Sequence, residues 1–186
     1  PLAKECTYEA VRIMAEAGEA AGMPPGLVSC MQAITLDGTQ ALMRHYAVSL
    51  ILATGGTPMV KAAHSVGKPA IGVGPGNVPV YVDRSADVVK AAWDIVNSKA
   101  FDCSVICATE QAVVADKPIA AQLKAEMERN GAYFVNEEQA AALGRTLFGG
   151  GQLISPKPVG KTPQQLAAMA KIGVPAWARI LVGRLS

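Results

Sequence analysis

Val48-Ser49-Leu50-Ile51-Leu52-Ala53-Thr54-Gly55-Gly56-Thr57-Pro58 decides the fold class. Its first six residues are the longest apolar run in the sequence, broken only by Ser49, and they have the length of a strand. A continuous apolar run predicts a strand covered on both faces, as in a parallel sheet. Gly55-Gly56 then turns the chain, and Thr57-Pro58 opens a helix with Thr57 as N-cap and Pro58 at the first helical position. Strand, glycine turn and capped helix together form the repeating element of an α/β protein.

The pattern on either side repeats this alternation. Upstream, Glu5–Gly22 reads as a helix with Tyr8, Val11, Arg12 and Ala15 on one side, stopped by Gly22 and Pro24-Pro25. Leu27–Ala33 reads as a strand, Asp37-Gly38 as a turn and Thr39–Tyr46 as a short helix. Downstream come strands at Pro69–Val73 and Val78–Val82, a helix over Ser85–Lys99, a loop at Ala100–Ile106 and a strand at Cys107–Ala115. A helix at Pro118–Asn130, a strand at Ala132–Val135, a helix over Glu137–Leu147 and a strand near Gln152–Ile154 follow. Thr162-Pro163-Gln164-Gln165 supplies an N-cap, a first-turn proline and a capping-box glutamine for a helix to Lys171, and Arg179–Val182 is a last strand. The order predicts an α/β fold with a mostly parallel sheet. An opening helix and a closing apolar strand with no covering element predict an internal piece of a larger protein.

Composition narrows the function. The 186 residues hold 17 Lys+Arg against 15 Asp+Glu, a net charge of +2, with no basic cluster, which argues against a nucleic-acid surface or a polybasic membrane patch. Aromatic residues at 5% leave few platforms for stacking single-stranded nucleic acid. No apolar run approaches the ~20 residues of a membrane span. Four cysteines (Cys6, Cys30, Cys103, Cys107) are too sparse for a disulfide scaffold, and Cys103-x3-Cys107 lacks the spacing of a zinc knuckle. Free thiols in a reducing cytoplasm, and no metal, are the expectation.

Three motifs carry candidate chemistry. At Thr54-Gly55-Gly56-Thr57 a helix N-terminus offers unpaired N–H groups and partial positive charge, and paired glycines let a phosphate approach the backbone. The same glycines could serve only to tighten the turn. Gly72-Val73-Gly74-Pro75-Gly76-Asn77 imitates a dinucleotide fingerprint, but its G-x-G-x-G spacing, its proline and the strand after it point instead to a loop hugging a ligand or a neighbouring strand. Ser98–Gln111 places Cys103 and Cys107 at a loop–strand junction, where a thiol can be partly exposed and activated; buried small apolar residues are the bland alternative. His64 reads as a solvent-facing helix residue beside Lys61 and Lys68, Cys6 and Cys30 as packing residues, and Met14, Met31, Met43 and Met59 as core.

Two of these stretches carry a family resemblance. Ile51–Gly56, Met59–Ala63 and Gly67–Asn77, followed by Ser98–Asp102 and Val105–Gln111, resemble the CoA-acylating aldehyde dehydrogenases. The likeness is to the aldehyde dehydrogenase half of bifunctional aldehyde/alcohol dehydrogenases, and it runs on to Pro175 and Ile180–Gly183. It implies an aldehyde-dehydrogenase-like α/β fold of parallel sheets and flanking helices. Residues 1–75 would be the C-terminal part of a Rossmann-like NAD(P)-binding domain, and residues 76–186 the N-terminal part of the cysteine-containing catalytic domain. It implies oxidation of an aldehyde with NAD or NADP and coenzyme A to an acyl-CoA, and the reverse, by a homo-oligomer in the full-length protein. Cys107 matches the nucleophile, Thr54, Gly55, Gly56 and Thr57 the cofactor turn, and Gly74 a loop position close to nicotinamide. Hydrolytic relatives carry a glutamate base where Val73 aligns, and valine accepts no proton, which favours thiolysis over hydrolysis. Cys103 and Ser104 depart from the Asn and Gly or Asn common in relatives. A hydrolytic enzyme using another base, and a non-catalytic structural or interaction module, are the alternatives.

Overall fold

A computed structural model describes residues 3–74, 76–149 and 157–184. The strand expected near Gln152–Ile154 lies outside the described residues. The chain divides into two compact units, residues 1–75 and 76–186.

In the first unit, α1 (Lys4–Ala20) and α2 (Leu36–Arg44) precede a βαβ element of β1 (Ile51–Thr54), α3 (Thr57–His64) and β2 (Ala70–Val73). β1 and β2 pair in parallel, with Ile51 opposite Ala70 and Thr54 opposite Val73. Met43, Ile51, Ala53 and Ala63 form the buried core, flanked by Val48, Val66 and Ala70. Lys68 Nζ donates to the carbonyls of His45 and Val48, closing the loop that leads into β1.

Several expectations for this unit fail. β1 is covered on one face only: Ile51 and Ala53 are buried, while Leu52 between them is 71% exposed. Leu27–Ala33 forms no strand, because the Leu27 N–H turns back to Pro24 O and the segment has no ladder partner among the described residues. Asp37-Gly38 is not a turn but the first turn of α2, since Thr35 Oγ1 accepts the Gly38 N–H at 2.9 Å and starts the helix early. At α3 the N-cap is Gly56, with no side-chain cap, and Thr57 stands inside the helix ahead of Pro58. Cys6 is exposed, and of the four methionines expected in the core only Met43 is buried.

The second unit holds β3 (Pro79–Val82), α4 (Val88–Ala100), a 3-10 turn (Phe101–Ser104), β4 (Ala112–Ala115), α5 (Lys117–Arg129), β5 (Ala132–Phe134), α6 (Glu137–Phe148), α7 (Pro163–Ala170) and β6 (Ile180–Val182). β3 pairs with β4 and β5 with β6, both in parallel. Val82, Val88, Ala92, Ile95, Val96, Leu123, Met127, Ala132 and Ile180 make one core cluster beneath α4 and α5. α4 starts three residues later than its apolar pattern suggests. Asp83 Oδ1 accepts from Ser85 N and Oγ in a local turn, so the cap falls to Asp87, whose side chain accepts the Lys90 N–H at 3.1 Å. The capping boxes of α6 and α7, on Asn136–Gln139 and Thr162–Gln165, are complete. Cys107 does not open β4; it lies five residues ahead of it, on a turn.

No helix among the described residues is long and apolar enough to cross a membrane, and no group of three or more His, Cys, Asp or Glu there could hold a metal ion.

Candidate active site

The residues expected at the cofactor turn share one end of the first sheet. Thr54 closes β1 beside Val73 at the end of β2, and the Gly55 N–H donates to Val73 O at 3.0 Å. Gly74 follows directly. The carboxyl ends of parallel strands are where α/β sheets take ligands. At α3 the Met59 and Val60 N–H groups donate to Gly56 O, whereas those of Gly56 and Thr57 meet no acceptor among the described residues. Among the described residues, two donors thus stand without an acceptor at the positive end of the helix.

The glycines here separate by what a side chain would meet. Gly56 has φ −67° and ψ 161°, which any residue adopts, and a Cβ there would lie in ordinary contact, 3.7 Å from Pro58 Cδ. A Cβ at Gly55 would lie 3.6 Å from Met59, and one at Gly74 would meet nothing within 4 Å. The fold does not require glycine at these three positions, so an open surface able to receive a phosphate is what their bareness provides. Gly72 is different. A Cβ there would lie 2.5 Å from Val60 Cγ1 and 2.7 Å from His64 Nε2. It is the glycine that lets α3 sit close on β2; His64 is exposed on α3, as expected, with its ring edge beside this glycine.

In the second unit the cysteine loop joins α4 to β4. Asp102, Cys103 and Ser104 all have left-handed backbones, φ 47°, 55° and 63°. This conformation costs a residue with a Cβ about 1–2 kcal/mol and suits Gly and Asn best. The loop is tied from within: Asp102 Oδ1 accepts the Val105 N–H at 3.0 Å and the Ile106 N–H at 3.5 Å. The buried Thr109 returns both its Oγ1–H and N–H to Ile106 O, at 3.1 and 3.3 Å. Cys107 sits on the turn between these ties. Its thiol is free and exposed, and its own N–H and that of Ala108 have no acceptor among the described residues. Cys103, also free, is half-buried.

Lys99, Glu110 and Gln111, which sequence reasoning left without a role, border this loop. Lys99 Nζ donates to Gln111 Oε1 at 3.2 Å, and Ser104 Oγ–H donates to Lys99 O at 2.7 Å. Half-burial holds the Lys99 amine below the ordinary lysine range, with the Glu110 carboxylate pulling the other way. Glu110 Oε2 is buried without a hydrogen-bond partner.

A parallel α/β chain with an exposed cysteine loop and a glycine-rich helix N-terminus agrees with the family resemblance of the sequence. The aldehyde dehydrogenase family model matches residues 3–139, and the chain belongs to that family. It is 44% identical to an aldehyde-alcohol dehydrogenase of Streptococcus pneumoniae over 97% of its own length and 21% of that protein's. An acetylating aldehyde dehydrogenase from Geobacillus thermoglucosidasius superposes with a TM-score of 0.92 at 48% identity, covering 100% of this chain and 41% of that one. A propionaldehyde dehydrogenase from Rhodopseudomonas palustris, solved with bound CoA and an acylated cysteine, gives 0.82 at 34% identity over 94% of this chain and 40% of its own. The chain therefore spans about a fifth of the length of the aldehyde-alcohol dehydrogenase and about two fifths of the solved ones.

Proposed function

We propose that the protein carrying this chain is a CoA-acylating aldehyde dehydrogenase, interconverting aldehyde and acyl-CoA with NAD or NADP. Residues 1–75 would serve its cofactor domain and residues 76–186 its catalytic domain. The observation that carries the proposal is the exposed Cys107 thiol on a turn fixed from both sides by Asp102 and Thr109.

Cys107 Sγ adds to the aldehyde carbonyl to give a thiohemiacetal. The free N–H groups of Cys107 and Ala108 are donors available to the oxyanion that forms. Bound nicotinamide cofactor supplies the acceptor for the hydride whose loss leaves a thioester on Cys107. The CoA thiol then attacks the thioester carbonyl, and the Cys107 thiolate leaves. On the cofactor side, the N–H groups of Gly56 and Thr57 hold a phosphate, Gly55 and Gly74 leave its approach clear, and Thr54 ends the strand beneath it. Val73, where hydrolytic relatives carry their base, has no group to activate water. Thiolysis therefore outweighs hydrolysis.

The relatives' names support the CoA-linked reaction over the hydrolytic one. Four free thiols suit a reducing compartment such as the cytoplasm, and a homo-oligomer follows the family resemblance. The test is product analysis of the protein carrying this chain, given aldehyde and NAD+ with and without CoA. Acyl-CoA formed only with CoA supports the proposal. Free acid at the same rate without CoA makes the enzyme hydrolytic.

A further inference from the structure

We propose that Lys99 is a positioning residue that pins both limbs of the Cys107 loop and so aims the thiol; this rests on the reading of Cys107 as nucleophile. Lys99 lies in the last turn of α4. Its carbonyl accepts the Ser104 hydroxyl at 2.7 Å and fixes the outgoing limb. Its ammonium donates to Gln111 Oε1 at 3.2 Å and fixes the returning limb. Gln111 is itself anchored, because its N–H donates to Val78 O at 2.8 Å where the β3–β4 ladder begins, and its Nε2 donates to Thr109 O at 3.4 Å. One residue thus ties the end of α4, the left-handed run at 102–104 and the start of β4 into a closed frame around Cys107.

Charge points the same way. Glu110 Oε2 is buried without a hydrogen-bond partner, and the charge of this carboxylate favours the protonated Lys99 amine. A lysine in a last helical turn can satisfy the helix dipole from the solvent side with no loss of hydration. Lys99 is instead half withdrawn from water, a cost in hydration that the Glu110 carboxylate offsets only in part, and its donation to Gln111 holds it there. Strain at Asp102, Cys103 and Ser104 gives the loop a reason to open, and the frame opposes it.

The test uses K99M, K99R, Q111L and the K99M/Q111L double variant of the protein carrying this chain. K99M should slow acylation by acyl-CoA about tenfold per titratable Cys107 thiol, with KM for NAD+ unchanged. K99R should recover most of that rate. Adding Q111L to K99M should cost much less than the product of the two single effects, because both break the Lys99–Gln111 tie and Q111L alone also frees Thr109 O. Exchange of the Val105 and Ile106 amides should quicken about tenfold in K99M. Fewer titratable thiols at an unchanged rate per thiol, or K99M and Q111L effects that multiply, would overturn the proposal and leave Lys99 a stability residue. If the unaltered protein acylates no cysteine, the acylating reading fails, and iodoacetamide alkylation of Cys107 with amide exchange decides for Lys99. A tenfold change in both with K99M sustains the frame; no change removes it.

Discussion

Placing an aspartate at Gly56 should move stability and cofactor affinity in opposite directions. Gly56 is the N-cap of α3, in an extended conformation open to any residue, and a Cβ there meets only Pro58 Cδ at 3.7 Å. An aspartate there can add a side-chain acceptor for the Met59 N–H, which now donates only to Gly56 O, and its charge suits the helix N-terminus. Together these are worth a few tenths to about 1 kcal/mol of added stability. The same carboxylate stands where a phosphate would meet the Gly56 and Thr57 N–H groups, and it repels the phosphate from them. Loss of one charge-assisted N–H bond costs about 1.5–3 kcal/mol, roughly a 10- to 150-fold rise in Kd. Calorimetric titration with NAD+ and NADP+ reads the affinity, and urea unfolding reads the stability. Gly56→Val, which adds bulk without charge or cap, should also weaken the cofactor, without the gain in stability. An unchanged Kd in a more stable Gly56→Asp protein would refute a phosphate at this turn and leave its glycines without a ligand to admit.

Further expectations follow from the packing and the charges. Gly72→Ala should destabilise by about 1–3 kcal/mol in urea unfolding, because its Cβ would lie 2.5 Å from Val60 Cγ1, whereas Gly74→Ala should unfold at the same midpoint. Cys103→Asn should raise stability by about 0.5–1 kcal/mol, since asparagine tolerates the φ of 55° better than cysteine, while acylation persists. Asp116 is held below the ordinary aspartate range by the Tyr81 hydroxyl at 2.8 Å and by Arg84 at 3.0 Å. A depressed carboxyl adds stability above its unfolded pKa of about 3.9 and loses it as pH falls through the folded value. Asp116→Asn should therefore lower the urea midpoint at neutral pH, and the deficit should shrink below about pH 4.

The strand–glycine–helix stretch at 48–58 was legible because period, turn and proline agree there, and β1, α3 and β2 fall within a few residues of expectation. Its detail was not. Whether Gly56 or Thr57 caps α3 depends on where the backbone leaves the sheet, and both residues are competent caps. Leu27–Ala33 has strand composition, but a strand also needs a partner, which the sequence of one segment does not record. The motif singled out Cys107 as the candidate nucleophile, yet its position on a turn ahead of β4 was hidden. The loop geometry comes from Asp102 and Thr109 side chains bonding to the backbone, and apolar periodicity has no term for such bonds. The residues at 103 and 104 did carry a signal: the family resemblance leads one to expect Asn followed by Gly or Asn there, residues that suit the left-handed backbones of this chain. Lys99 gave none, since a lysine near a helix end is ordinary.

The central claim is that Cys107 forms the acyl-enzyme. Incubating the protein carrying this chain with an acyl-CoA, without reduced cofactor, and mapping the acylated peptide by mass spectrometry tests it directly. The acyl group should appear on Cys107, persist in Cys103→Ser and vanish in Cys107→Ser while NAD+ binding is retained. Acylation of Cys103, or an acyl-enzyme that survives Cys107→Ser, would contradict the account.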